Sequence, residues 1–251
     1  MDEWQIEQKA LVEEIRRTCS QSSLVKVIGA PDINSLRVSA LMLAFTDKER
    51  TTLQVRKQMT AAIIIQLALD THDQIAPILT EITQKDQLIA LAGDYFSGMY
   101  YRTLAEAGCI HYVSMLAEAV KQVNEMKTAL HQKECTSSAD VFHTVRVIES
   151  NIIRAVCVEN EADDNLIEAM SLLLTAERLR NEMENPFIVY GVLLHMLNHS
   201  SHVIDEIKSY LYELESSILM HIQKLDKQTA AVVQAEYDRI FDRELRYAEE
   251  G

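Results

Sequence analysis

The sequence is poor in the residues that build turns. Only 6 Gly and 3 Pro occur among 251 residues. A β-sheet protein needs turn residues every few positions, so this shortage argues against a sheet. The sequence therefore predicts an all-α fold, a multi-helix bundle. Because no low-complexity linker or internal repeat interrupts the chain, we expect one all-helical domain over residues 1–251.

Cysteine pairs, positive charge and long apolar runs are also scarce. The 4 cysteines form no CxxC pair, which is typical of reduced thiols in a cytoplasmic protein. With 38 acidic against 24 basic residues, the formal net charge is −14, which opposes a nucleic-acid backbone. No apolar run approaches the ~20 residues of a membrane span. We expect a cytoplasmic protein with no nucleic-acid partner and no transmembrane segment.

Apolar residues recur every three or four positions, and capping residues divide this pattern into helices. Thr46 and Glu49 form a capping-box pattern that predicts the start of the third helix. Gly108 is predicted to cap the end of a helix that runs from Asp86 to about Ala107. Further helix starts are predicted at Ser137 or Ser138, at Asp163 or Asp164, and at Asn185-Pro186.

The third predicted helix is apolar on nearly every side between Ala61 and Leu69. This pattern is typical of a helix in the centre of a domain. Its end is polar and carries Asp70, His72 and Asp73. Taken alone, such a helix end is more often a solvated terminus than a binding site.

A second unusual stretch, LAGDYFSGMYY, runs from Leu91 to Tyr101 about twenty residues later. A glycine inside a helix costs up to ~1 kcal/mol relative to alanine. Gly93 and Gly98, with Ser97, therefore predict close packing against another helix.

Together, and in this order, the two stretches resemble the trans-prenyl diphosphate synthases. In that family a central helix ends in a His-Asp-Asp sequence that opens the first aspartate-rich motif, which His72-Asp73 matches. A later helix opens with Leu-Ala-Gly-Asp, which Leu91–Asp94 matches. The Ser-Gly-x-Tyr-Tyr continuation is most similar to component 1 of the two-component heptaprenyl diphosphate synthases of bacteria. The resemblance covers Ala61 to Gly108 and implies the isoprenoid synthase fold.

The first aspartate-rich motif is degenerate in this chain. Family catalysis uses Mg²⁺ to hold an allylic diphosphate, and Mg²⁺ needs clustered oxygen ligands. Where Asp-Asp-x-x-Asp should stand, the sequence has Asp73-Gln74-Ile75-Ala76-Pro77, and Thr80-Glu81-Ile82-Thr83 replaces the diphosphate-binding Arg pair. We assign Asp70, His72 and Asp73 to a degenerate motif and expect no catalytic residue, cofactor or metal on this chain.

The second aspartate-rich motif has no intact counterpart. His202-Val203-Ile204-Asp205-Glu206-Ile207 is a candidate remnant, but it lacks the final Asp. The pair Asp163-Asp164 is more simply a helix N-cap.

Three histidines share one helical spacing further along the chain. His195, His199 and His202 fall at i, i+4 and i+7, a spacing that can bind Zn²⁺. No His-Glu-x-x-His pattern and no nearby cysteine supports that site. A partly buried polar face is the alternative interpretation, so these residues are weak metal candidates.

The resemblance implies a small regulatory subunit of a two-component heptaprenyl (or hexaprenyl) diphosphate synthase, which makes the menaquinone side-chain precursor. A catalytic large subunit, component 2, would carry the intact Asp-rich motifs, the Mg²⁺ and the isoprenoid diphosphates. Two alternatives stay open. One is a helical adaptor or regulatory protein unrelated to isoprenoids, and the other is an autonomous metal hydrolase that uses the His195 cluster.

The resemblance also implies two sets of site residues. Residues before the first motif line the hydrocarbon tunnel in catalytic relatives, and their counterparts here are Ile65, Ala68 and Leu69. The helix after Leu91 packs across the dimer in the family. The predicted partner interface comprises Gly93, Asp94, Tyr95, Phe96, Ser97, Gly98 and Tyr101.

Overall fold

A computed structural model describes residues 3–21, 24, 29–75, 82–184 and 202–241. Within these ranges the regular structure is entirely helical, which confirms the predicted all-α class. The helices are α1 (Glu3–Cys19), α2 (Ser35–Leu43), α3 (Asp47–Arg50), α4 (Leu53–His72), α5 (Gln84–Glu106), α6 (Ile110–His131), α7 (Ser138–Glu159), α8 (Asp164–Glu184), α9 (Val203–Ile222) and α10 (Lys227–Phe241).

The chain divides into two compact units, Met1–Glu118 and Ala119–Gly251, with the boundary inside α6. Unit 1 holds α1 to α5 and the start of α6, and unit 2 holds the rest of α6 and α7 to α10. The expectation of one domain over residues 1–251 stays a prediction.

Helix α4 is the central element of unit 1. Every residue from Gln58 to Leu69 is buried, which confirms the predicted apolar stretch from Ala61 to Leu69. The helix packs mainly against α5 and also against α1, α2 and α3. The helix therefore has no solvent-facing side over these twelve residues.

The start of α4 differs from the prediction. The capping box of Thr46 and Glu49 is present, but the helix that it starts, α3, ends at Arg50. A new helix begins at Leu53, and the Thr52 hydroxyl caps it by accepting a hydrogen bond from the Val55 amide at 3.3 Å. The predicted continuous helix is therefore wrong, because threonine hydroxyls here bond the backbone and compete with helix continuation.

Arg50 of α3 connects the first three helices. Its side chain is only 7% exposed and forms ion pairs with Glu7 of α1 and Asp47 of α3. The guanidinium lies 5.2 Å from the centre of the Trp4 ring. It also donates to two backbone carbonyls, those of Met42 and Phe45.

Unit 2 is built around α8, which packs against α7, α9 and α10. Two of the predicted caps are confirmed, since Ser137 forms a capping box at the start of α7 and the Asp163 carboxylate accepts a hydrogen bond from the Asn165 amide at 2.7 Å. Arg178 of α8 pairs with the nearly buried carboxylates of Glu149 and Glu182.

Among the helices that the structure describes, none is long and apolar enough to cross a membrane.

Candidate functional site

The two unusual stretches of the sequence meet where α4 ends and α5 passes. The imidazole of His72 lies directly against the backbone of Gly93, which is buried. A β-carbon built at Gly93 would stand 2.5 Å from Nε2 and 2.7 Å from Nδ1 of that ring. Such approaches are shorter than any van der Waals contact, so this arrangement requires glycine at position 93.

Asp94 also lies near this ring. Its Oδ1 is 3.7 Å from Nε2 of His72, and its side chain is 75% exposed. A distance of 3.7 Å is too long for a hydrogen bond, so the pair is a loose contact at the surface. Gly93 therefore fixes the ring, and Asp94 adds little to its placement.

Asp70 is engaged by two side chains that come from inside the protein. Arg37 of α2, which is 7% exposed, pairs with Oδ2 of Asp70. Gln66, one turn earlier on α4, donates to Oδ1 at 2.8 Å. Both carboxylate oxygens thus have a partner, and a guanidinium balances the negative charge. The sequence interpretation missed Arg37, since no local pattern links positions 37 and 70.

Asp73 ends α4 and is only 8% exposed. Its amide donates to the Leu69 carbonyl at 3.2 Å, so the residue belongs to the helix terminus. Residues 76–81, with Pro77, Thr80 and Glu81, lie outside the described residues.

These carboxylates do not fit a Mg²⁺ cluster. Mg²⁺ takes near-octahedral oxygen ligands that converge on one point. Asp70 is held by a guanidinium and an amide, Asp73 is buried, and Gln74 replaces a carboxylate. Across residues 3–21, 29–75, 82–184 and 202–241, no three His, Cys, Asp or Glu side chains are grouped so that they could hold a metal ion.

The predicted interface residues of α5 lie on two different faces. Phe96 is 1% exposed and Gly93 is covered by His72. Their side of the helix packs inside the chain, so the assignment of Gly93 and Phe96 to a partner interface is corrected. Tyr95 and Ser97 are half-buried.

The opposite face of α5 is exposed. It presents Leu91 at 59% and Tyr101 at 47% exposure, with Asp94 and Gly98 between them. These positions are spaced by three or four residues and form one row along the helix. We call this row the α5 exposed face.

Gly98 differs from Gly93 in its surroundings. A β-carbon at Gly98 would meet no atom within 4 Å. Its backbone φ is not positive, so an alanine would fit there without strain. Nothing in the described part of this chain explains a glycine at position 98.

The predicted tunnel residues lie within the buried stretch of α4. Ile65, Ala68 and Leu69 are 3%, 1% and 6% exposed. Their contribution to a hydrocarbon tunnel stays a prediction.

The candidate second motif and the histidine cluster are only partly described. His195, His199 and the helix start predicted at Asn185-Pro186 lie outside the described residues. His202 is 77% exposed, and its Nδ1 lies 3.9 Å from Asp205 Oδ2. The two acids of the candidate remnant, Asp205 and Glu206, have different partners. Asp205 lies near His202, whereas Glu206 accepts a hydrogen bond from the Ser138 hydroxyl of α7.

Comparison with known proteins identifies the family. The sequence profile described as heptaprenyl diphosphate synthase (HEPPP synthase) subunit 1 matches residues 22–231, most of the chain. The chain belongs to this family. Heptaprenyl diphosphate synthase component 1 of Geobacillus stearothermophilus is 35% identical to it over 100 residues, which cover 40% of this chain and 45% of that protein. The match thus spans less than half the length of this subunit 1 relative.

Solved structures share the fold. Heptaprenyl diphosphate synthase from Staphylococcus aureus is 14% identical, with a TM-score of 0.68 and coverage of 94% of this chain and 97% of that one. Decaprenyl diphosphate synthase from Rhodobacter capsulatus is 12% identical, with a TM-score of 0.65 and coverage of 94% and 96%. At these identities the likeness concerns the fold alone, and it confirms the predicted isoprenoid synthase architecture for this subunit 1 protein.

Proposed function

We propose that this chain is the non-catalytic small subunit of a two-component heptaprenyl diphosphate synthase. The observation that carries the proposal is the state of the degenerate motif. Asp70 is held by Arg37 and Gln66, and His72 is packed onto Gly93. Of the three carboxylates of the first motif only Asp73 remains, and it is 8% exposed, while Gln74 and Pro77 replace the other two. The family match covers residues 22–231.

The catalytic steps belong, in this proposal, to a large subunit called component 2. That subunit carries both intact aspartate-rich motifs, binds Mg²⁺, and condenses isopentenyl diphosphate onto an allylic diphosphate. The product is the precursor of the menaquinone side chain, and the complex is cytoplasmic. The present chain takes part as a partner that completes the complex and influences how long the product grows.

The α5 exposed face is the proposed contact with component 2. Leu91 and Tyr101 offer apolar and aromatic area of the kind that dominates protein interfaces. Gly98 lies between them with open space above its backbone. A glycine in mid-helix is unfavourable for the isolated chain by up to ~1 kcal/mol. The described part of the chain gives no reason for a glycine at position 98. Close approach of a partner helix would give one.

The proposed tunnel contribution comes from α4. Ile65, Ala68 and Leu69 lie one and two turns before Asp73, and none of them is aromatic. A bulky ring at these positions would fill space that a long hydrocarbon tail needs. We therefore propose that this part of α4 forms a section of the tunnel floor in the complex.

The family match argues against an adaptor unrelated to isoprenoids. No observation on the described residues favours an autonomous hydrolase that uses the His195 cluster.

Reconstitution tests the proposal. The purified chain, component 2 and their mixture are each assayed with farnesyl diphosphate, isopentenyl diphosphate and Mg²⁺. We expect long-chain product only from the mixture. Turnover by the highly purified single chain, or a failure of the two chains to form a complex at micromolar concentration, would overturn the proposal.

A further inference from the structure

An imidazole and a carboxylate lie side by side at the α5 exposed face. Asp94 belongs to that face, and its side chain is 75% exposed. His72 ends α4 with a side chain that is 39% exposed, and its Nε2 lies 3.7 Å from Oδ1 of Asp94. The ring rests on the backbone of Gly93, so the packing of α4 on α5 sets the distance between the two groups.

The meaning of this pair changes when a partner covers the α5 exposed face. In the free chain, water solvates Asp94, and a loose contact between exposed groups contributes little. A protein partner removes that water, and an ionised carboxylate taken out of water without a counter-charge opposes binding. The attraction between Asp94 and a nearby cation grows at the same time, because water no longer screens it. Asp94 therefore needs a positive neighbour in the complex.

His72 is placed to be that neighbour. It is the last residue of α4, where the carbonyl groups at the end of the helix favour a positive charge. Histidine is the side chain whose charge ordinarily changes between about pH 5 and 8. A proton on this imidazole would thus be held by the helix end and by the carboxylate together.

The elements packed against α4 also carry charges that are paired with each other. These pairs are Arg37 with Asp70, Glu14 with Arg56, Arg50 with Glu7 and Asp47, and Arg102 with Glu106. On α4 itself, Asp73 is 8% exposed. Lys85 and Asp86 belong to the start of α5, about two turns before Asp94. Among the described residues, Asp94 forms no ion pair except with His72.

We propose that His72 takes up a proton when component 2 covers the α5 exposed face, so that its imidazolium neutralises Asp94 and the partner surface opposite Asp94 is uncharged. This inference rests on the proposed function. Binding of the proton and binding of the partner then strengthen each other by the same factor. Assembly is strongest at low pH, where His72 is already protonated in the free chain. It weakens as the pH rises through the range in which the imidazole of the complex loses its proton.

The test is isothermal titration calorimetry of the full chain with component 2 at about pH 6 and about pH 8, in buffers with different heats of ionisation. We expect binding to be at least about fivefold weaker at the higher pH, the upper range for an exposed ion pair, with net proton uptake on assembly. A complex of equal affinity at both pH values would overturn this inference and leave the small-subunit proposal intact. Absence of a complex at both pH values would overturn both.

Two histidine variants locate the proton. His72→Gln should bind at both pH values as the unmodified chain binds at the higher one. His202→Gln is the matched control, because His202 lies 3.9 Å from Asp205 in an exposed pair on α9, away from the α5 exposed face. It should keep the full pH dependence. A pH dependence that survives in His72→Gln would place the proton on another group and would overturn the proposal.

Asp94→Asn tests whether the partner supplies the counter-charge instead. The amide needs no positive neighbour, so this variant should bind at the higher pH at least as tightly as the unmodified chain and should lose the proton uptake. An equal loss of affinity at both pH values would show that a cation of component 2 pairs with Asp94, and it would overturn the proposal. Asp94 is exposed, so the variant keeps the fold, which circular dichroism at both pH values verifies.

Discussion

The imidazole of His72 occupies the space that a β-carbon would take on Gly93. This contact joins the end of the buried helix α4 to α5. It also explains why α5 has a glycine at position 93 without the need for a partner protein. Gly98, five positions later on the same helix, has open space instead. The two glycines should therefore respond in opposite ways to the same substitution.

Gly98→Ala should stabilise the isolated chain by up to ~1 kcal/mol, because alanine is the better helix former and nothing obstructs its methyl group. Gly93→Ala should be less stable than Gly98→Ala by roughly 1–2 kcal/mol, because the His72 ring must leave its place. Urea unfolding followed by circular dichroism measures both. In a His72→Ala background the penalty at Gly93 should disappear, and its persistence there would contradict the role given to His72.

Gly98→Leu should weaken assembly with component 2 while leaving the helicity of the chain unchanged, because the added side chain projects from the α5 exposed face. Analytical ultracentrifugation of the mixed subunits measures the affinity. Ala231→Leu is the matched control, since Ala231 is also an exposed small residue but lies on α10. Undiminished affinity of the Gly98 variant would show that the partner binds elsewhere.

Restoring acids to the degenerate motif should not create activity. Gln74→Asp with Pro77→Asp supplies the missing carboxylates of the first motif, but the sequence still lacks the diphosphate-binding Arg pair and an intact second motif. A Mg²⁺ cluster would still lack converging ligands. Product formation by the purified double variant, measured with radiolabelled isopentenyl diphosphate, would contradict this interpretation.

Ala68→Phe should shift the products of the assembled complex toward shorter chains, because the ring fills space on the proposed tunnel floor. The substitution should also cost roughly 1–3 kcal/mol of stability, since Ala68 is 1% exposed and the site is already close-packed. Chromatography of the products decides the question once gel filtration has confirmed assembly. An unchanged length distribution from a fully assembled complex would exclude Ala68 from the tunnel.

Arg50→Lys should destabilise the chain by roughly 1–3 kcal/mol, because one ammonium cannot serve Glu7, Asp47 and two buried carbonyls at once. Arg16→Lys is the control. Among the described residues Arg16 pairs only with the exposed Glu13 of its own helix, so its replacement should change stability by less than ~0.5 kcal/mol. Urea unfolding measures both variants. Similar losses of stability would mean that the contacts of Arg50 contribute no more than those of the surface residue Arg16.

Much of the helical fold could be predicted from local sequence signals. The buried stretch of α4, the caps at Thr46 and Ser137, and the end of α5 before Gly108 all follow from patterns within a few residues. The capping box alone could not predict the break between α3 and α4. Thr46 caps the start of α3, and Thr52 caps a second helix start at α4. At α5 the cap is Thr83 with Asp86, a capping box with Asp in place of the usual Glu or Gln, and the predicted start at Asp86 missed it.

The site was less accessible to sequence reasoning. The two motifs were correctly singled out, but their meeting at His72 and Gly93 depends on how α4 and α5 pack. The sequence interpretation attributed Gly93 to a partner helix, whereas an internal side chain fills the space above it. The pairing of Asp70 with Arg37 also joins distant positions, and only the three-dimensional structure reveals it.

The position of the single tryptophan gives the two halves of the chain different optical signals. Trp4 lies in unit 1 against Arg50, and unit 2 contains no tryptophan. Tryptophan emission therefore follows the melting of unit 1, while far-ultraviolet circular dichroism follows the helices of both units. If residues 1–251 unfold as one cooperative body, the two curves coincide. If the units melt separately, the emission curve accounts for only one of two steps, and component 2 can then be tested for which step it shifts to higher denaturant.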